Sequence, residues 1–428
     1  MADPVHRQPI AKQDLKQVVA DVLEATPAID IHTHLYSPGF GQLVSKGIDD
    51  LLTYHYLEAE LFRFSKIQPE KYWSLSKTER ADLIWQSLFV DNLPLSEATR
   101  GVIAVLDALG LDTESPSVAP LRAYFRAQPW PDHVTRVFSL AGIASVVMTN
   151  DPLLPEEAAI WNNGFEADPR FHAALRLDRL LNEWPQANRE MAAQGYKVDA
   201  NGAANTMHEV RRFVEEWSHK MGAVYMAVSL PDTFAYPADD IRTRLLREAI
   251  LPSLRDLDVP LALMIGARRQ VNPALRDAGD AAGHADMQGL ERLCGQYPEN
   301  RFLVTVLSRE NQHELCVYSR KFANLMPFGC WWFLNNPSIV EEVTRERFEM
   351  LGVSFIPQHS DARVLEQLIY KWRNTRRTLG PALTERFLLL AEDGRAITRC
   401  DVQRTVEKLM RGNFEGWTDH SRAGRIST

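Results

Sequence analysis

The 428-residue sequence predicts an α/β fold, a closed (β/α)8 barrel of the TIM type with a helical insertion after its first strand. Three observations carry that expectation. Eight short, near-continuously apolar runs punctuate the chain, as strands covered on both faces should. From the fourth run onward the intervening text is charged and helix-compatible, which implies parallel βαβ units. Eight such strands fit a closed barrel better than an open sheet.

The first run is AIDIHTHL (28–35), and the second, SVVMTN (145–150), follows only after a long helical stretch. Residues 36 to about 140 hold patterns such as KTERADLIWQSLFV and SEATRGVIAVLDALG, read as a helical cap above the carboxyl ends of the strands, where barrel active sites lie. FHAALRL (171–177) and AVYMAVSL (223–230) come next. ADDIRTRLLREAILPSLRDL leads to PLALMIGA (260–267), and ADMQGLERLCGQY leads to RFLVTVLS (301–308). NLMPFGCWWF (324–333) and VSFIPQHS (353–360) complete the eight. Helical text continues through LEQLIYKWRNTRRTLG and CDVQRTVEKLMRG, and the tail SRAGRIST reads as frayed. The expected division is 1–35 for an N-terminal helix and first strand, 36–140 for the cap, and 141–428 for the rest.

Composition narrows the function. Basic residues number 48 against 56 acidic, a net charge of −8 with no Lys/Arg block, which argues against nucleic acid or an anionic membrane as partner. No apolar run approaches the roughly 20 residues needed to span a bilayer, and the first residues lack a secretory pattern. The four cysteines form no CxxC pair, as expected in a reducing compartment. A cytoplasmic protein is the expectation.

Candidate chemistry begins at His32-Thr33-His34. Alternate strand residues face one way, so both imidazoles reach one side at the strand's end. Two neutral imidazoles make half of a Zn²⁺ or similar divalent site. With 12 histidines, roughly one third of such a tripeptide arises by chance, so its place after AIDI is what raises it. Asp361, at the end of the eighth run, can close toward the pair because first and eighth strands are neighbours in a closed barrel. The competing reading of Ser360-Asp361 is an N-cap on the following helix. Arg363 could hold a substrate carboxylate. Arg176 ends the third run with Asp178 as its candidate ion-pair partner, and Thr149-Asn150-Asp151-Pro152 is equally a turn or a site. Trp331 and Trp332 would point to opposite faces of a regular strand, one lining the pocket and one packing. In the cap, His55 and Tyr56 are either amphipathic packing or groups reaching down to the site.

Together these residues resemble the uronate isomerase (glucuronate isomerase) family of the amidohydrolase superfamily, over roughly residues 28 to 380. The family's DxHxH is Asp30, His32 and His34, and its cap His-Tyr with a following Arg is similar to His55, Tyr56 and Arg63. Its T-x-D-P looks like Thr149, Asp151 and Pro152, and its R-x-D-x-x-L-N like Arg176, Asp178 and Asn182. The G-A-x-R-x-x-N stretch is similar to Gly266, Ala267, Arg269 and Asn272. The W-W-F-N and D-S-R segments look like Trp331-Trp332-Phe333 and Asp361-Ala362-Arg363. Three departures stand out. Met264 occupies a position where the family has His, Ala362 replaces a Ser, and the family's S-D-H-G is missing near Val228–Asp232. The superfamily's carboxylated lysine finds no counterpart, which argues against a binuclear centre.

The resemblance implies an aldose–ketose isomerase of a hexuronate, D-glucuronate or D-galacturonate, with one divalent metal ion, Zn²⁺ being the assignment. His32, His34 and Asp361 would hold the ion. Asp361, Tyr56 and His55 would handle protons, and Arg176, Arg363, Arg269, Trp331 and Trp332 would contact a small-molecule sugar acid. Two rivals stay open, a mononuclear lactonase or amidohydrolase and a sugar-acid-binding protein without turnover. The oligomeric state, including a homo-oligomer, stays open as well.

Overall fold

The protein, analysed as a computed structural model, is described over residues 8–419; the tail read as frayed lies outside them. Seven parallel strands and one short antiparallel one form a single sheet. They are β1 (Ala28–Thr33), β2 (Ile143–Asn150), β3 (Phe171–Arg176), β4 (Ala223–Pro231), β5 (Leu261–Arg268), β6 (Ala281–Ala282), β7 (Phe302–Val306) and β8 (Leu325–Pro327). The parallel order is β1-β2-β3-β4-β5-β7-β8, and β6 is an antiparallel appendage on β5.

The barrel closes through residues 353–361, which are not a regular strand. On one side the Ile356 N–H bonds the Pro327 carbonyl at 3.0 Å and the Gly329 N–H bonds that of Ile356 at 2.9 Å. On the other, the Asp361 N–H bonds the His32 carbonyl at 3.1 Å and the His34 N–H bonds that of Ala362 at 2.8 Å. Pro357 has no N–H to give a ladder, and Gly329 takes a left-handed φ of 60°. The last two expected strands are therefore corrected. One ends at Pro327 instead of Phe333, and the other reduces to a single bridge at Ile356.

Side-chain alternation shows why these runs curl. On β5, Ala262 and Met264 join Tyr225, Ala227, Val147, Leu303 and Ile31 in a core inside the barrel. Leu261, Leu263 and Ile265 join the larger core between sheet and helices. Period-2 alternation with both faces buried is the signature of a parallel sheet enclosed by helices. Between β1 and β2 the chain is helical almost throughout. It includes His55–Phe64, Lys77–Trp85 with a Ser76/Glu79 capping box, and Trp130–Ala141, which ends at left-handed Gly142 and feeds β2. After the closing segment runs the long helix Gln367–Glu392. No helix among the described residues is long and apolar enough to cross a membrane.

Candidate active site

β1 and the closing segment meet at one cluster. Nε2 of His34 lies 3.1 Å from Oδ1 of Asp361, and Nε2 of His32 lies 4.0 Å from the same oxygen. All three ligand atoms fall within 4.8 Å of one another. Asp361 sits at φ 52°, a region that Asp enters more readily than most residues. Its carboxylate caps no helix, because the next helix starts at Gln367 with no side-chain cap; the N-cap reading is corrected on that ground.

Electrostatics favour a cation here. Burial pushes both imidazoles below their ordinary range, His32 furthest. Burial alone would raise the Asp361 carboxyl, but the neighbouring imidazoles, His34 first, hold it well below the usual carboxylate range. Oδ1 of Asp361 is buried and accepts no hydrogen bond. A buried anionic oxygen without a donor is destabilising. Two imidazole nitrogens and a carboxylate oxygen match what borderline divalent ions take. The residues present thus fit a metal ion. Met264 is fully buried inside the barrel and adds no hard donor.

Asp30 has a different part to play. Its Oδ1 accepts from the Ser360 N–H at 3.0 Å and its Oδ2 from the Trp372 indole at 2.8 Å. It is a fastener that ties β1 to the closing segment and to the long helix. Burial raises its pKa to about 6.

Around the cluster the cap and the β-strand ends meet. Nε2 of His55 accepts the Trp332 indole N–H at 3.0 Å, and burial lowers the His55 pKa to about 3. The Tyr56 hydroxyl has no hydrogen-bond partner among the described residues, and burial pushes its pKa well above the ordinary value. Trp331 and Trp332 do not sit on opposite faces of a strand. Both follow the end of β8 and belong to the inner core, with Trp332 opening a 3-10 turn at φ 46°. Arg269 lies over the Trp332 ring at 5.2 Å and pairs with Asp280 at 2.6 Å.

The two arginines expected to grip substrate are on separate cavities. Arg176, held by Asp178 through contacts of 3.0 and 3.1 Å, lines a cavity of about 670 Å³ with Arg179, Arg242 and Arg269. Arg363 lines a cavity of about 350 Å³ with Tyr54, His55 and Arg276. His34 feels both, its imidazole disfavoured as a cation by burial first and then by each guanidinium. The Thr149–Pro152 stretch forms a turn and also touches the cluster. Asn150 and the Asp151 N–H bond the Glu157 carboxylate, and the Thr149 hydroxyl approaches Nδ1 of His34 at 3.1 Å.

Sequence reasoning missed Tyr225, whose hydroxyl lies 3.0 Å from Nδ1 of His32. Its place in the row Ala223, Tyr225, Ala227 is the available signal, since a phenol among small inward residues at a barrel's centre needs a polar partner. Lys371 was missed too. Its ammonium is buried near the Tyr56 and Tyr370 rings, and burial lowers its pKa to about 8.

No protein-family model matches the chain, and neither does any curated protein. Solved structures do. A uronate isomerase from Bacillus halodurans C-125 superposes with a TM-score of 0.93 at 47% identity, covering 96% of this chain and 97% of that one. A uronate isomerase from Thermotoga maritima (TM-score 0.76, 15% identity, 96% and 100% covered) and a glucuronate isomerase from Caulobacter crescentus (0.75, 16%, 98% and 96%) share the fold. With nearly half its residues identical to the Bacillus protein along almost the full length of both, this chain belongs to the uronate isomerase family.

Proposed function

We propose that the protein is a uronate isomerase, interconverting a hexuronate, D-glucuronate or D-galacturonate, with its keto-uronate through a cis-enediol. The observation that carries this is the 47% identity to a uronate isomerase across almost the whole of both chains. The reaction moves a proton between C2 and C1, while the aldehyde oxygen gains a proton and the C2 hydroxyl loses one.

Asp361 is the assigned carbon base. It is anionic at neutral pH, and its Oδ1 is buried at the centre of the cluster, where a bound substrate's carbon-bound proton would be presented. Tyr56 is the assigned acid at oxygen, because its phenol stays protonated and has no hydrogen-bond partner to displace among the described residues. His55 is neutral and engaged by Trp332, and serves as the alternative proton acceptor. Arg176 and Arg363 supply charge-assisted hydrogen bonds to the sugar carboxylate and the developing enediolate. Arg269, Trp331 and Trp332 shape the wall beside them. His32, His34 and Asp361 would hold one divalent ion, assigned as Zn²⁺, which supplies positive charge to orient the anionic substrate.

Proton NMR of glucuronate and galacturonate with the protein in D₂O tests the proposal. Conversion to a keto-uronate with deuterium entering at the exchanged carbon is expected. Neither turnover nor exchange of either sugar would overturn it.

A further inference from the structure

A histidine serves as a ligand only from the nitrogen that carries no proton, so each ring of the cluster must be held in one tautomer. The hydrogen bonds behind the rings decide which. Tyr225, on β4, has one hydroxyl proton. Its oxygen is 2.6 Å from the Ile31 carbonyl, which can only accept, so the proton lies there. The same oxygen is 3.0 Å from Nδ1 of His32. Having given its proton away, the hydroxyl can only accept from that nitrogen, which places the hydrogen on Nδ1. In a neutral ring Nε2 is then a bare lone pair, and Nε2 is the atom turned toward Asp361.

Thr149, on β2, repeats the arrangement with different chemistry. Its hydroxyl donates to the Thr33 carbonyl at 2.9 Å and lies 3.1 Å from Nδ1 of His34. With a cation between them, that leaves Nε2 of His34 as the lone pair on the side of Asp361, 3.1 Å away. Both hydroxyl residues are buried, so water cannot substitute for them at little cost; Tyr225 is 1% exposed and Thr149 5%.

The geometry points to Tyr225 and Thr149 as paired positioning residues for cation binding, each using a β1 carbonyl to turn its hydroxyl into an acceptor and so fixing one histidine as the Nδ1–H tautomer. This rests on the metal reading of the cluster. Loss of either hydroxyl frees its ring to adopt the Nε2–H form, which puts a proton where the cation belongs. Partners of this kind behind metal-binding histidines change affinity by about 10–100-fold when removed.

The test is a chelator-competition titration of the full chain with Zn²⁺ alone. Tyr225→Phe and Thr149→Val should each weaken binding by about 10–100-fold, and Thr149→Ser should restore it to near wild type. Long-range ¹H–¹⁵N spectra of the metal-free, histidine-labelled protein supply a second readout. His32 should be Nδ1–H in the wild type and should lose that preference in Tyr225→Phe. A folded Tyr225→Phe protein that binds Zn²⁺ within about threefold of wild type overturns the proposal, as does a wild-type spectrum with Nε2–H on His32. If Tyr225→Phe does not fold, equal affinities for Thr149→Val and Thr149→Ser overturn it. A wild type that binds no Zn²⁺ yet still isomerises a uronate would sink this proposal and the metal reading while leaving the isomerase reading intact.

Discussion

Trp332 donates its indole N–H to Nε2 of His55 across 3.0 Å, joining a residue just past β8 to the first turn of a helix inserted between β1 and β2. The bond spans 277 positions of sequence. Trp332→Phe keeps an aromatic ring but removes the donor. Stability should fall by about 1–2 kcal/mol, the usual effect of leaving a buried acceptor unmet, and KM for the uronate should rise. Thermal melting and steady-state kinetics check both, and an unchanged KM would show that this bond does not shape the substrate site.

Asp361→Asn preserves size and most hydrogen-bonding reach but cannot take a carbon-bound proton. With Zn²⁺ in excess to offset the altered cation ligand, turnover should drop by roughly 10²–10⁴, as for loss of a general base, with uronate binding reduced far less. Deuterium wash-in is the sharper measurement, since undiminished exchange would pass the base role to Tyr56 or His55.

The two arginines should respond differently. Arg363→Met removes an exposed guanidinium with no ion-pair partner among the described residues. KM should rise while the melting free energy stays within about 0.5 kcal/mol. Arg176→Met also strands the Asp178 carboxylate that now meets it at 3.0 Å, so it should lower stability as well as raise KM. Equal stability of the two variants would count against the ion pair as a structural element.

Asp151 offers a pH test. Burial raises its pKa from 3.8 to about 7, so the folded chain keeps a proton that the unfolded chain releases. That contribution is fully present below about pH 4 and is lost as pH rises through 7. Each pH unit separating folded from unfolded titration is worth about 1.4 kcal/mol, which sets several kcal/mol as the upper bound. Denaturant melts of wild type and Asp151→Asn should therefore diverge between pH 4 and 7, the wild type losing ground as pH rises. Parallel curves would mean the carboxyl titrates normally.

Gly329→Ala should be severely destabilising. The glycine sits at φ 60°, and an added Cβ would overlap Nδ1 of the fully buried His359 ring. A left-handed Ala penalised by about 1–2 kcal/mol is compounded by that clash. Soluble expression with a melt close to wild type would show that the ring can move aside.

The barrel was legible where burial on both faces writes an unbroken apolar run, as in LALMI of β5 or FLVTV of β7. It was not legible where prolines and glycines take over, as at Pro327, Gly329 and Pro357, because apolar text without N–H donors or regular dihedrals looks like a strand and cannot be one. The site divides the same way. His32, His34 and Asp361 could be found because strand ends in a closed barrel are neighbours and the residue types match a cation. Tyr225 reads as one more strand-favouring aromatic unless the small residues on either side of it are weighed, and its distance to His32 shows the contact. Asp30 stands beside the two histidines in sequence, yet its carboxylate is committed to Ser360 and Trp372.

The seam where the closing segment meets β1 has a consequence for how the molecule comes into being. Asp30 and Ser360, joined across it, stand 330 positions apart. On a ribosome adding roughly 5–20 residues per second, β1 must wait many seconds for the segment that completes its neighbourhood. Contacts between such distant parts of a chain form late and slowly. Until then the two imidazoles lack their carboxylate, so a half-made chain holds only part of the cluster, and the cluster is complete only when the circle has closed. A cation bound by both sides of the seam would act as a clasp, slowing its reopening.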